Sequence, residues 1–190
     1  GRRVAPAMTA RGKGAVVALE PSTGKILALA SYPSYDPSTI SGATDDDGKA
    51  WNKLQKKNNP ADPMLNRALR ETYPPGSTFK VVTAAAALEN KLYTTADEKT
   101  DSPLPWPMPG TTTELKNEGN IPCKNATLRV ALQYSCNTVF GKIGSDLENE
   151  KMLEEAKKFG FTEEQFTPVR SSASVFSDNM NKSQTALSSI

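Results

Sequence analysis

Residues Pro74-Pro75-Gly76-Ser77-Thr78-Phe79-Lys80 set a hydroxyl and an amine three positions apart, behind a proline–glycine brake. Three residues is just under one helical turn, so a helix opened by Ser77 carries Lys80 on the same face. The chemistry this permits is nucleophilic catalysis. A serine attacks poorly until a base takes its proton, and a lysine can be that base when burial lowers its pKa. The plain alternative makes Ser77 a helix N-cap. A capping box would then want Glu or Gln at position 80, where this chain has lysine. A lysine in the first turn also opposes the helix dipole. Spacing alone does not decide the matter, because Ser22-Thr23-Gly24-Lys25 repeats it inside a turn signature between two apolar runs.

A second group, Ser135-Cys136-Asn137, offers a hydroxyl and a carboxamide two residues apart. A serine–lysine catalyst needs such help: a hydroxyl to pass a proton to a leaving amine, and an amide to steady the lysine and hold a substrate amide. Ser177-Asp178-Asn179 has the same form but lacks flanking apolar periodicity. The Ser135 corner is preferred, since a catalytic corner should sit between rigid elements. Taken alone, either site reads as a surface turn.

The elements that must position these groups follow from pattern. Gly14–Glu20 and Lys25–Ser31 predict a β-hairpin about Pro21–Gly24, with both faces covered because both runs are mostly apolar. Asp45-Asp46-Asp47 reads as a solvated loop and Trp51–Lys57 as a short helix. The central helix is expected over Ser77–Asn90, buried nearly all round by its alanines. The segment from Thr94 to Asn120 is polar and proline-rich, and its Pro103–Pro109 run reads as an ordered loop lying on its own domain. Leu128, Ala131 and Leu132, then Val139, Phe140, Ile143 and Leu147, predict helices on either side of Ser135–Asn137. Glu150–Phe159 predicts an amphipathic helix closed by Gly160. The last thirty residues carry little pattern, and residues 1–13 read as a linker or the end of a preceding domain.

Composition narrows the classes. The 190 residues suffice for one domain or most of one. A net charge of +2 with scattered basic residues gives no nucleic-acid footprint. The absence of histidine removes histidine triads and nearly all zinc sites. No apolar run reaches the ~20 residues of a membrane span. Two cysteines permit one disulfide without requiring it.

In order, Asn66-Arg67-Ala68-Leu69, Tyr73–Lys80 and Ala131-Leu132-Gln133-Tyr134-Ser135-Cys136-Asn137-Thr138 resemble a penicillin-binding protein, more narrowly the class B transpeptidases of actinobacteria. The hairpin segment Ala18–Gly24 resembles the opening strands of that family, and residues 14–170 can be matched in order. The superfamily signature is Ser-x-x-Lys, a Ser-x-Asn-like motif and Lys-Thr-Gly. The third is absent: Lys99-Thr100-Asp101 ends in the wrong residue and precedes the second motif.

The resemblance implies an α+β penicillin-binding/serine β-lactamase-like fold, a central antiparallel sheet flanked by helices, incomplete in this chain. Residues 14–190 would be the N-terminal part of the transpeptidase domain, with the Lys-Thr-Gly strand and half of the oxyanion hole lying downstream. It further implies Ser77 as nucleophile, Lys80 as base, Ser135 in the proton relay and Asn137 as the substrate amide's partner, with no metal or organic cofactor. The expected ligands are D-Ala-D-Ala stem peptides of peptidoglycan and β-lactams, and the expected partner is a membrane glycosyltransferase. The location is the extracytoplasmic face of the membrane, anchored by an N-terminal segment outside this chain. That compartment suits a Cys123–Cys136 disulfide bracing the corner, against a buried free thiol. Competing readings are a class D-like β-lactamase, whose second motif usually ends in an apolar residue where this chain has Asn137, a β-lactam sensor domain, and a non-catalytic cell-wall interaction module.

Overall fold

The computed structural model describes residues 12–190, so nearly all of the expected linker lies outside the described residues. The chain forms two compact units, one reaching to Thr72 and including Gln165–Ser172, the other made of Tyr73–Glu164 and Ala173–Ile190.

In the first unit, β1 (Gly14–Leu19) pairs antiparallel with β2 (Ile26–Tyr32), from Gly14 opposite Tyr32 to Ala18 opposite Ala28, with a register shift before Leu19. Glu20 closes the connecting turn by accepting from the Gly24 amide at 2.8 Å, with Gly24 at φ 72°. Ser22 and Lys25 therefore belong to a hairpin turn, as their context predicted. Among the described residues the expected cover on the sheet is not found: Leu19 is 55% exposed and Leu27 64%. Of the helices in this unit, α2 (Arg67–Arg70) packs on both strands, and at a single turn it is too short to cover them.

Residues 45–47 do not form a loop. They open α1 (Asp45–Leu54), which replaces the expected helix over Trp51–Lys57. Thr44 and Asp47 form a capping box in which each amide donates to the other's side chain. The aspartates complement the positive end of the helix, and bonds from the Thr44 hydroxyl and amide hold Asp47 below the usual carboxylate range.

Arg67 is buried and fixes this unit's loops. Its Nη atoms donate to Asp62 O at 3.0 Å and Ala61 O at 2.6 Å, while Nε pairs ionically with Glu71 at 3.2 Å without an aligned N–H bond. Its amide donates to Ser31 Oγ at 3.0 Å, which ties α2 to β2.

The second unit holds the main core. A 3₁₀ turn, Gly76–Phe79, leads into α3 (Lys80–Glu89). After the minimal hairpin of β3 (Trp106–Pro107) and β4 (Glu114–Leu115) come α4 (Leu128–Gln133), α5 (Asn137–Lys158) and α6 (Lys182–Ser188). The proline-rich run, expected as a loop, contains strand β3, and its Trp106 and Met108 are buried.

Helix α3 buries one stripe, not its whole circumference. Lys80, Val82, Thr83, Ala86 and Ala87 are inside, while Val81 is 53% exposed. That stripe recurs at three- and four-residue steps, and Lys80 lies on it. Leu128 and Ala131 of α4 and Val139, Phe140, Ile143 and Leu147 of α5 complete the core. Helix α5 breaks at Glu148 (φ 64°), which separates the two helices expected around that point. Gly160, at φ 83°, closes it: the Gly160 amide donates to Lys157 O and the Phe161 amide to Ala156 O.

The final segment contains α6, started by a capping box of Asn181 and Gln184. Sequence reading passed over it because the helix is short and its pattern is mostly polar. The helix packs close to α5: a Cβ on Gly144 would stand 2.0 Å from Ser189 Oγ and 3.2 Å from Thr185 O.

Candidate active site

The turn that carries Ser77 is pinned from below. Phe79 is buried, stacked on Phe176 at 5.4 Å and edge-on to Phe161 at 5.4 Å. Gly76 ahead of it takes φ 56° with open space where a Cβ would lie, so glycine serves the backbone conformation and not the room. The helix does not start at Ser77, since the first turn is 3₁₀ and α3 proper starts at Lys80. This tighter winding eclipses residues i and i+3, which stacks Lys80 beneath Ser77 more directly than an α-helix would. Ser77 is exposed and Lys80 fully buried.

The second corner is a helix end. Helix α4 finishes in a Schellman motif: the Cys136 amide donates to Ala131 O at 2.9 Å and the Ser135 amide to Leu132 O at 3.2 Å. The residue between cap and exit is in the left-handed region, usually a glycine. Here it is Ser135, at φ 55°. Asn137 then begins α5. Cys136, fully buried between them, is bonded to Cys123 with a Cα separation of 6.1 Å. Their 13-residue separation corresponds to a stabilisation of about 3 kcal/mol in the loop-closure view.

These two pieces meet at one nitrogen. Lys80 Nζ lies 3.1 Å from Ser77 Oγ, 2.8 Å from Ser135 Oγ, 2.9 Å from Ser135 O and 2.6 Å from Asn137 Oδ1. None of the four oxygens is a carboxylate. Burial pushes the Lys80 pKa down, and the negative charge of Glu118 pushes partly back. The Phe140 ring, 5.8 Å from Nζ, is within cation–π reach.

The oxygen set suits the neutral amine. A neutral amine has two N–H groups and one lone pair. The Ser135 carbonyl and the Asn137 carboxamide oxygen can only accept, so they take the two N–H groups. The lone pair is left for a hydroxyl, and both Ser77 and Ser135 can donate one. The arrangement can draw the proton from an exposed serine and return it through a second.

All four residues singled out by the motifs are thus brought together. Ser177–Asn179 is not among the partners of Lys80; its Ser177 carbonyl accepts from Asn149. Sequence reasoning missed Glu118 and its neighbour Asn117, which lie in the polar loop between motifs where no periodicity marks them.

The sequence matches the penicillin binding protein transpeptidase domain family over residues 14–189. The chain belongs to that family. Relatives of this transpeptidase-family chain include peptidoglycan D,D-transpeptidase PbpA of Mycobacterium tuberculosis, 48% identical over 152 residues, which cover 78% of this chain and 30% of the relative. The fold is correspondingly the penicillin-binding transpeptidase fold. It is similar to the ceftriaxone acyl-enzyme complex of penicillin-binding protein A from M. tuberculosis, with a TM-score of 0.83 and 42% identity over 94% of this chain and 40% of that one. It also resembles the penicillin G acyl-enzyme complex of that protein, with a TM-score of 0.82 and 43% identity over 94% of this chain and 41% of that one. The chain therefore spans about three tenths of the length of the M. tuberculosis relative.

Proposed function

We propose that the protein carrying this chain is a peptidoglycan D,D-transpeptidase, with residues 14–190 forming the N-terminal part of its transpeptidase domain. The observation that carries the reading is the buried, carboxylate-free Lys80 nitrogen, with two serine hydroxyls and Asn137 Oδ1 around it. Ser77 Oγ attacks the carbonyl carbon between the two terminal D-alanines of a stem peptide and its proton passes to Lys80 Nζ. The tetrahedral intermediate collapses, the C–N bond breaks, and the leaving D-alanine amine takes a proton by way of Ser135. An amine of a neighbouring stem then attacks the ester. Its proton returns through the same relay and Ser77 is freed as the new amide forms. Asn137 orients the peptide amide and steadies Lys80. A β-lactam enters the first half of this sequence and remains as an ester on Ser77.

The relatives named as D,D-transpeptidases and the β-lactam acyl-enzymes of similar fold support this reading over a β-lactamase, a sensor or a non-catalytic module. With that function go an extracytoplasmic location, an N-terminal membrane anchor outside these residues and a glycosyltransferase supplying glycan strands. Among the described residues no helix is long and apolar enough to cross a membrane.

The test is intact mass and peptide mapping after benzylpenicillin, on the full-length protein and its Ser77→Ala variant. The expected result is one adduct, mapped to Ser77 and absent from the variant. An unmodified wild type, or an adduct that survives S77A, overturns the assignment.

A further inference from the structure

Helix α5 begins at the corner that presents Asn137, and it begins without a side-chain cap of its own. Its N-cap residue is Cys136, whose sulfur is committed to the disulfide and caps nothing. The first N–H groups of a helix have no partner within it, and a buried amide without one costs about 1–3 kcal/mol. The second of these belongs to Thr138, which is fully buried. Its partner comes from outside the helix: Asn117 Oδ1 accepts from the Thr138 amide at 3.0 Å. Asn117 is itself buried, and its Nδ2 donates to Ile121 O at 3.1 Å. One carboxamide therefore joins its own loop to the first turn of α5.

We infer that Asn117 is a positioning residue for the active site: by capping α5 at Thr138 it holds the adjoining Asn137 carboxamide on Lys80. The inference rests on the serine–lysine reading of Ser77 and Lys80. Three facts support it. Thr138 directly follows Asn137, whose Oδ1 makes the shortest of the four contacts to Lys80 Nζ, at 2.6 Å. Cys123, at the far end of the same 117–123 strap, grips Cys136 on the other side of Asn137. The corner also contains Ser135 in the left-handed region, a conformation an unrestrained serine leaves readily. The strap thus holds the corner at two points, one covalent and one an amide cap.

The test separates the cap from the loop tie. Asn117→Asp keeps an oxygen for the Thr138 amide, at a helix N-terminus that favours negative charge, and loses the donor to Ile121. Asn117→Ala loses both. Acylation by benzylpenicillin is timed by rapid quench and intact mass in the full-length wild type, N117A, N117D and S77A, with thermal midpoints alongside. The expected result is an acylation rate constant about ten- to a hundredfold lower in N117A, with most of the rate restored in N117D. Equal losses in N117A and N117D mean that only the loop tie matters, and overturn the inference. So does a folded N117A that acylates like wild type. Should N117A not fold, Asn117→Ser, too short to reach Thr138, takes its place; failure of both while N117D folds assigns Asn117 to stability alone and overturns the inference. A wild type that forms no adduct sinks the serine–lysine reading, and this inference with it.

Discussion

Two influences on Lys80 oppose each other. Burial disfavours its charge, which suits a base that must be uncharged to take a proton. Glu118 works against burial by favouring the ammonium. The expected acylation profile therefore rises with pH through one ionisation, placed below the ordinary lysine value of 10.5. Glu118→Gln removes the charge that raises this pKa, so the rise should move to lower pH. The same rate constant measured across the pH range for both proteins checks this, and a midpoint moving upward in E118Q contradicts it. The stability sign follows. Between the lowered folded pKa and the unfolded one, the unfolded chain binds more protons, so stability increases with pH across that window.

Ser135 occupies a seat made for glycine. A left-handed residue with a side chain costs roughly 1–2 kcal/mol, and this chain carries that cost where a hydroxyl meets Lys80. Ser135→Gly relieves the strain. It removes one of four oxygens from an amine that can donate to three at most, so nothing is left unpaired on Lys80. Folding stability should hold or rise by up to about 1 kcal/mol, the gain limited by glycine's freedom in the unfolded chain. Transfer to an acceptor amine should fall. Denaturant melts and a donor–acceptor cross-linking assay read the two effects separately, and a clear loss of stability in S135G would show that the seat is not strained.

At the scale of elements, α5 is held at two places in its first half. Its first turn is tied by Asn117 and the disulfide, and two turns further on it packs against α6 at Gly144, where a Cβ would meet Ser189. Gly144→Ala must push α6 away or force Ser189 aside. Overpacking of this kind costs about 1–3 kcal/mol, and the loss should appear as a lower melting temperature with a normal acylation rate at low temperature. Legibility in the sequence followed the same division. The helices around Ser135–Asn137 were readable because leucine and valine recur on one face, and the closing Gly160 was readable because only its backbone matters. Asn117 was not, because a cap from a distant loop leaves no local spacing. The start of α1 was missed because its apolar content is low and it is marked by Asp47 in a capping box that usually ends in Glu or Gln. The cover expected on the β1–β2 hairpin was inferred from apolar runs, which report a preference for burial and not what lies on the strands.

At the scale of the whole molecule, two of the three superfamily motifs meet at Lys80, while Lys-Thr-Gly does not occur among residues 1–190. The first unit shows a related imbalance. Val16, Val17, Leu19, Ile26, Leu27 and Leu29 are each more than a third exposed on a two-stranded hairpin. Apolar strands with open edges and partly uncovered faces invite association. Residues 1–190 produced alone should therefore self-associate in a concentration-dependent way, visible by sedimentation. Leu27, at 64% exposed, contributes little to stability in this chain. A charge there should oppose stacking without unfolding the hairpin, so Leu27→Lys should lower the average sedimenting mass while leaving the melting temperature unchanged. If L27K sediments like wild type, association runs through another surface. If it melts lower, Leu27 is more closely packed than its exposure indicates.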